Sequence, residues 1–203
     1  MQTSEGCSSL AQVKPVVIGV VGGPGSGKGT QCEMLCQGFR VSHISVGDVL
    51  RAEAADQDSP YRGTIRKNML AGTFAPKEVS MAIIQSHMKK ASETGINLFV
   101  LDGFPRHLEQ LHYFESVITP LRTVILLQCS EAVMVDRLCS RGRFDDNAES
   151  IRGRLATFHT TTSQVVDLMH QRGNLVVVDA EQPVETVSRL MVEVFSDIAE
   201  RRV

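Results

Sequence analysis

A glycine-rich run that ends in lysine and threonine is the segment of this chain whose spacing points most directly to chemistry. Residues 22–30 read GGPGSGKGT and directly follow an apolar, β-branched stretch. The interval from Gly22 to Gly27-Lys28 is the G-x-x-x-x-G-K of a P-loop, in which Lys28 meets the terminal phosphates of a nucleotide. Glycines let the backbone turn its N–H groups inward, so the loop and the following helix bind a polyphosphate. The predicted binding residues are Gly23, Pro24, Gly25, Ser26, Gly27, Lys28, Gly29 and Thr30.

Two other interpretations of this loop are less consistent with the sequence. A dinucleotide-binding G-x-G-x-x-G would need glycine at Lys28 or at Thr30. The second alternative is a glycine-rich turn in which the lysine occurs by chance. Such a turn would not require a strand before it and a helix after it, and the sequence predicts both. One departure from the usual P-loop remains, because Gly29 stands between Lys28 and Thr30 and weakens the assignment of a hydroxyl to magnesium.

Charged residues farther along the chain extend the predicted site. Asp102 follows the apolar run Leu98–Leu101, and a carboxylate at the end of a buried strand beside a P-loop is suited to hold Mg²⁺ through its waters. A turn cap before Gly103 is the alternative for this aspartate. Guanidinium groups bind phosphate oxygens in a fork, although such a cluster is as often a solvated helix face. The arginines in question are Arg137, Arg141, Arg143 and Arg154.

The elements that must position these residues alternate between strand-like and helical patterns. Continuous apolar runs predict strands buried on both faces of a parallel sheet. These runs are Val16–Gly22, Leu98–Leu101, Thr123–Cys129 and Leu175–Asp179, with Val41–Ile44 as a weaker fifth. Residues between them fall on single helical faces: Val79, Ile83, Met88 and Ala91, and then Val184, Val187, Met191, Val194, Phe195 and Ile198. The pattern predicts one doubly wound α/β domain with ligands at the carboxyl ends of its strands.

Taken together, the motifs resemble the adenylate kinase and UMP–CMP kinase family of nucleoside monophosphate kinases. They occur in the family's order, as GGPGSGKGTQC, HISVGDVLR, LDGFPR, RGRFDDN and Arg154. The resemblance implies an α/β P-loop three-layer fold with a parallel five-stranded sheet. It also implies one kinase domain over 15–203, with a small helical monophosphate-binding insertion at 46–73 and a very short lid at 141–146. Residues 1–14 are expected to be a disordered lead-in.

The resemblance also assigns roles in a direct, in-line transfer of the ATP γ-phosphoryl group to a monophosphate. Lys28 would follow the transferred group, with Arg143 and Arg154 clamping it, and Arg51 and Arg106 would hold the acceptor's phosphate. Asp102 would orient water on Mg²⁺. The remaining ATP contacts would come from Arg137, stacked on the base, and Arg141. The remaining acceptor contacts would come from Ser45, Val46, Gly47, Gly103, Phe104 and Gln110.

The identity of the acceptor base rests on a few positions. Val46 stands where adenylate kinases usually have threonine, and the segment 58–63 (DSPYRG) is closer to uridylate kinases. Gln110 matches the glutamine that reads adenine in adenylate kinases, although some fungal-type uridylate kinases share it. The sequence therefore favours UMP or CMP and leaves AMP open. The lid lacks the family's spacer between Arg141 and Arg143, so a nucleotide-binding protein with weak turnover is a further alternative.

Composition excludes several other classes of protein. The 203 residues carry 21 Lys+Arg and 23 Asp+Glu, which argues against a nucleic-acid or membrane binder. The five cysteines form no Cys-x-x-Cys pair, which favours a reducing compartment. Cys32 and Cys36 lie one helical turn apart and could share a ligand, although small buried thiols are commoner. The sequence contains no Asn-Lys-x-Asp motif for reading guanine, which argues against a GTPase switch. We expect a cytoplasmic monomer that uses Mg²⁺ and ATP.

Overall fold

The sheet is parallel and has five strands in the order β2-β3-β1-β4-β5. A computed structural model describes residues 14–71, 73–141 and 148–200. In chain order the strands are β1 (Val16–Val21), β2 (Ser42–Ser45), β3 (Leu98–Asp102), β4 (Thr123–Gln128) and β5 (Leu175–Asp179). This confirms the predicted fold class, and each predicted strand is present with its ends shifted by no more than one residue.

Helices cover both faces of the sheet, as the alternating pattern predicts. The first five are α1 (Lys28–Gly38), α2 (Val46–Ala55), α3 (Arg62–Leu70), α4 (Lys77–Glu93) and α5 (Leu108–Val117). The others are α6 (Glu131–Arg141), α7 (Ala148–Thr157), α8 (Ser163–Gln171) and α9 (Val184–Glu200). A π-helical turn over Phe158–Thr162 joins α7 to α8. None of the helices in the described ranges is long and apolar enough to cross a membrane.

Strand alternation divides the core into two layers. In β3, Phe99 and Leu101 face one layer, and Leu98 and Val100 face the other. Because every residue of β3 is buried, both of its faces must be apolar, which explains the continuous hydrophobic run. Helices α2, α4, α5 and α8 pack on the first layer, and α1 and α9 pack on the second.

Several predictions about the helices and the termini can now be compared with the structure. Val187, Met191, Phe195 and Ile198 of α9 are buried, whereas Val184, which the sequence pattern places on the same helical face, is 46% exposed. Val184 is the first residue of α9. The segment 46–73 forms α2 and α3 where it is described. Residues 1–13 and most of the predicted lid (142–146) lie outside the described residues.

The second core layer gives a prediction about stability. Phe195 is fully buried and its ring lies 4.8 Å from that of Phe39, centroid to centroid. Phe195→Ala is therefore expected to lower the free energy of unfolding by about 3–5 kcal/mol, because it removes apolar contacts and leaves a cavity. Val192→Ala on the exposed side of the same helix, where Val192 is 38% exposed, is the matched control. Urea unfolding measures both, and a Phe195→Ala loss no larger than the control would contradict this account of the core.

Candidate active site

The P-loop lies between β1 and α1 and is pressed against α6. Gly25 has a positive φ of 83°, and a Cβ atom there would lie 2.4 Å from the carbonyl oxygen of Met134. Gly27 has a φ of 89° and is the N-cap residue of α1. Only glycine combines this backbone conformation with such a close approach. The loop's glycines thus fix its path, and α1 begins at Lys28 with its N-terminus at the loop.

Lys28 turns its ammonium group back into the loop. Its Nζ donates to the carbonyl oxygens of Gly22 at 2.9 Å and Gly23 at 2.8 Å, and to Ser26 Oγ at 3.3 Å. The residue keeps some contact with solvent, while its ammonium is enclosed by these acceptors. Burial lowers the pKa of Lys28 to about 8, although the nearby carboxylate of Asp102 acts in the opposite direction.

Asp102 ends β3 beside the loop and is only 7% exposed. It pairs with Ser45 of β2 on one side and with Val20 of β1 on the other. A Cβ atom on Gly29 would lie 3.6 Å from Asp102 Oδ2, so this carboxylate faces the first turn of α1. The parallel register therefore places a nearly buried carboxylate next to the P-loop lysine.

Two arginines from different elements converge over Gly47. A Cβ atom on Gly47 would lie 3.4 Å from Arg106 Nη2 and 3.4 Å from both terminal nitrogens of Arg51. Arg106 Nε donates to the carbonyl oxygen of Gly103 at 2.9 Å, and Arg51 forms an ion pair with Asp48. Helix α2 supplies Arg51, and the turn after β3 supplies Arg106, so the two guanidinium groups meet at the carboxyl edge of the sheet.

Charge around Arg106 is unusually concentrated. Burial lowers the pKa of Arg106, the positive charges of Arg51 and Arg154 lower it further, and Asp102 raises it. Helix α7 therefore brings Arg154 within electrostatic reach of Arg106, about 50 residues away in sequence. Arg137 lies elsewhere, since its charge acts on Cys129 and Glu181 at the ends of β4 and β5.

The backbone of Arg106 is held from both sides by side chains. Its N–H donates to Gln110 Oε1 at 3.1 Å, and its carbonyl oxygen accepts a hydrogen bond from Thr162 Oγ1 at 3.0 Å. Both supporting residues are buried, with Gln110 4% and Thr162 6% exposed. Thr162 belongs to the π-helical turn, so the irregular part of the α7–α8 helix is the part that touches Arg106.

The remaining predicted site residues lie near the core and Arg51, in the P-loop and α1, or outside the described residues. Val46 and Phe104 are buried in the first core layer, and Ser45 Oγ donates to Asp48 next to Arg51. Thr30 is exposed on α1, and Pro24 is half-buried in the loop. Arg141 ends α6, but its side chain, like the whole of Arg143, lies outside the described residues.

Sequence reasoning missed residues that support the site. Thr162 carried no signal, because its role depends on a π-helical turn that no local pattern predicts. Asp48 was quoted only within a motif, although its spacing of three from Arg51 on a helix is that of an ion pair. His43 is the first residue of the motif HISVGDVLR, but nothing in the sequence indicates that its Nε2 lies 3.7 Å from Asp102 Oδ2.

The assembled geometry is suited to binding a polyanion. Asp102 acts electrostatically on Lys28 and Arg106, Arg51 and Arg154 act on Arg106, and the four cations come from four separate parts of the chain. Direct transfer to a phosphate needs no nucleophile from the enzyme, because the acceptor's phosphate oxygen attacks, so the protein acts by positioning and by neutralising charge. The site is therefore equipped for the transfer of a phosphoryl group between bound phosphates.

Comparison with known proteins agrees with this chemistry. The adenylate kinase family model matches residues 20–174. The chain is 38% identical over 176 residues to a uridylate kinase of Schizosaccharomyces pombe, covering 84% of this chain and 92% of the relative. It is 39% identical over 193 residues to UMP-CMP kinase 3 of Arabidopsis thaliana, covering 93% of each. It is 40% identical over 177 residues to adenylate kinase isoenzyme 1 of Caenorhabditis elegans, covering 85% and 84%.

These matches define the class as ATP-dependent nucleoside monophosphate kinases, which confirms the class predicted from the motifs. The chain belongs to the adenylate kinase family.

The lowered pKa of Lys28 gives a prediction about stability and pH. In the unfolded chain a lysine titrates near 10.4, so between about pH 8 and about pH 10 the unfolded state binds a proton that the folded state lacks. Lys28 therefore makes the free energy of unfolding rise with pH, by at most about 1.4 kcal/mol per pH unit. Lys28→Met should remove this rise.

The measurement is urea unfolding at about pH 8 and about pH 9.5 for both proteins. Comparing the parent with Lys28→Met isolates this group, because the buried thiol of Cys32, whose pKa is raised mainly by burial, acts in the opposite direction. Lys90→Met on the exposed side of α4 is the control. If the parent and Lys28→Met had the same pH dependence, the enclosed ammonium would not be titrating as described.

Proposed function

We propose that this protein transfers the γ-phosphoryl group of ATP to a pyrimidine nucleoside monophosphate, with UMP and CMP favoured, to give ADP and the diphosphate. The observation that carries the proposal is the linked set of cations at one edge of the sheet, in which Lys28 and Arg106 lie near Asp102, and Arg51 and Arg154 lie near Arg106. Two phosphate-bearing substrates need cations on both sides of the transferred group, and this arrangement supplies them.

On the donor side, the P-loop would hold the ATP phosphates through its backbone N–H groups. Lys28 would exchange its bonds to Gly22 and Gly23 for the terminal phosphates, which restore an anionic partner to its ammonium. Arg137, near the ends of β4 and β5, would stack on the ATP base. With Arg141, it completes the donor-side set that the family resemblance assigns, while Arg143 would join Arg154 in clamping the transferred group.

On the acceptor side, Arg51 and Arg106 would clamp the phosphate of the monophosphate between them. Their guanidinium groups already meet over Gly47, so little rearrangement is needed to present several donors to one phosphate. Arg154 would neutralise the charge that develops on the transferred group. The helical insertion 46–73 would carry this half-site, and the short segment 141–146 would cover the donor half.

The residues present fit a magnesium ion that accompanies ATP. Asp102 is a nearly buried carboxylate facing the first turn of α1, and oxygen ligands held through water suit Mg²⁺. When bound, Mg²⁺ would supply charge neutralisation across the phosphates. Asp102 would orient its water shell, and Thr30 has no assigned contact to the ion because Gly29 displaces it from the usual position.

The base preference is supported by the polar groups near Arg106. Gln110 uses its Oε1 to accept the N–H of Arg106, which leaves its amide NH₂ as the group that would face a base. Uracil presents carbonyl acceptors to such a donor. Adenine can accept at a ring nitrogen, but its amino group also needs an acceptor, and the buried Val46 has no hydroxyl to provide one. These two positions support UMP above AMP.

Substituting Gln110 by Glu tests this assignment. The carboxylate of Gln110→Glu would still accept the N–H of Arg106, but it would replace the donor NH₂ with an acceptor. We expect kcat/KM for UMP to fall at least about tenfold, equal to 1.4 kcal/mol, while kcat/KM for AMP is maintained or increases. The measurement is ADP formation with AMP, UMP, CMP, dCMP and GMP as acceptors, in the parent and the variant.

Gln164→Glu is the matched control, because Gln164 lies exposed on α8, where its amide donates to the carbonyl oxygen of Thr160. AMP as the preferred acceptor of the parent would overturn the pyrimidine assignment. The absence of turnover with every acceptor would instead favour the nucleotide-binding alternative.

Gly47 provides a second prediction, one that separates binding from stability. Gly47→Ala places a methyl group 3.4 Å from three guanidinium nitrogens, where an acceptor phosphate would approach. We expect KM for the monophosphate to rise about three- to tenfold, with KM for ATP nearly unchanged. Stability should not fall, since alanine favours a helix over glycine.

Gly63→Ala is the control in the neighbouring helix α3, because a Cβ atom there meets nothing within 4 Å. Steady-state kinetics and urea unfolding of both variants provide the measurement. An equal effect of the two substitutions on KM would show that the Gly47 surface is not the acceptor phosphate site.

The other expectations follow the family resemblance and the near-neutral charge of the chain. We propose a monomer that acts in the cytoplasm on small nucleotides, without nucleic acid or membrane partners.

A further inference from the structure

A cysteine, a histidine and an aspartate meet behind the phosphate-binding cations. One ligand atom from each of Cys32, His43 and Asp102 lies within 4.8 Å of the other two. They come from α1, β2 and the end of β3, three elements that the fold holds side by side. The phosphoryl-transfer chemistry uses only one of the three, Asp102.

His43 is the informative member of this trio. Its Nε2 is buried and has no hydrogen-bond partner among the described residues. The nearby Asp102 Oδ2 is 3.7 Å away, which is too long for a hydrogen bond. An unpaired buried ring nitrogen is costly, and binding a cation is one way of satisfying it. The His43 side chain keeps 16% exposure, so it also gives access from the solvent side.

Cys32 is the second unusual feature. It is fully buried against the second core layer, whereas Cys36, one turn later on α1, is only half-buried. The earlier hypothesis that Cys32 and Cys36 share a ligand is not supported, because the cluster joins Cys32 to His43 and Asp102 instead. Burial raises the pKa of the Cys32 thiol, so a cation that binds there must displace its proton.

We infer that Cys32, His43 and Asp102 form a binding site for a thiophilic divalent cation, of which Zn²⁺ is the best fit. Thiolate, imidazole and carboxylate are the usual zinc ligands, while Mg²⁺ prefers oxygen alone. Zinc–ligand bond lengths require the three atoms to lie roughly 3.3–3.8 Å apart, so the trio closes by up to about 1.5 Å.

Occupation of this site would have a consequence for the reaction. Asp102 cannot both ligate zinc and orient the water shell of Mg²⁺, and a dication beside Lys28 opposes its ammonium. Zinc at this site therefore inhibits phosphoryl transfer. The binding itself is independent of the proposed function, whereas the inhibition depends on the role proposed for Asp102.

Cobalt provides a direct probe of binding, because Co²⁺ occupies zinc sites and gives a thiolate charge-transfer absorption when it is bound to sulfur. The chain without metal is titrated with Co²⁺ and then with Zn²⁺ in competition. We expect a charge-transfer band that Zn²⁺ abolishes. Cys32→Ala should remove the band and weaken Zn²⁺ binding by more than about tenfold, because a primary ligand is lost.

Cys36→Ala is the matched control and should keep the band, since Cys36 lies on the same helix but outside the cluster. Thermal unfolding in the presence of EDTA shows whether each variant is folded. If Cys32→Ala does not fold, His43→Gln replaces it as the test variant and should shift the band and weaken Zn²⁺ binding. A parent protein without a thiolate band, or a band lost in Cys36→Ala but kept in Cys32→Ala, would overturn the site.

The inhibition is measured separately, as ADP formation with Mg²⁺ in large excess and Zn²⁺ added in steps. The rate of each protein is referred to its own rate in EDTA-treated, Mg²⁺-containing buffer. We expect inhibition of the parent and of Cys36→Ala, reversed by a chelator, and at least about tenfold less sensitivity in Cys32→Ala. Cobalt binding without inhibition would uphold the metal site but contradict the role of Asp102. Equal inhibition of all three proteins would show that zinc acts elsewhere.

Discussion

The rest of the site depends on one electrostatic constraint, the need to hold several cations together at a partly buried edge of the sheet. Lys28, Arg51, Arg106 and Arg154 repel one another, and burial penalises the charged forms of Lys28 and Arg106. Local acceptors offset this cost. Lys28 donates to two loop carbonyls, Arg106 donates to the carbonyl of Gly103, and Arg51 pairs with Asp48. These acceptors hold the proposed phosphate-binding groups in place, which is the preorganisation that phosphoryl transfer requires.

Asp102 is the meeting point of this arrangement. Its carboxylate acts to raise the pKa of both Lys28 and Arg106, which favours their charged forms. Asp102 ends a strand that is buried on both faces, so packing in the core sets its position. The same position places it next to His43 and Cys32. The proposals for Mg²⁺ and for Zn²⁺ therefore both rely on this one nearly buried carboxylate. The pairing of β3 with β2 and β1 fixes Asp102 where both sets of groups can reach it.

The supports of Arg106 illustrate how distant elements are joined at the site. Gln110 holds its N–H and Thr162 holds its carbonyl oxygen, so the arginine is fixed by its own helix and by the π-helical turn between α7 and α8. Helix α7 also carries Arg154, so any shift of this helix would be felt at Arg106 through both charge and hydrogen bonding.

The sequence by itself determined the fold class, the strands, the P-loop and the kinase family, because each is written in local patterns. Continuous apolar runs show strands buried on both faces, and glycine spacing shows the loop whose backbone must bend at Gly25 and Gly27. Only the tertiary structure decided which side chains meet. The contact of Thr162 with Arg106 and the cluster of Cys32, His43 and Asp102 join residues about 10 to 70 positions apart. No local pattern specifies them, since they arise from the parallel strand register and from an irregular helical turn, both of which are fixed by packing across the whole chain.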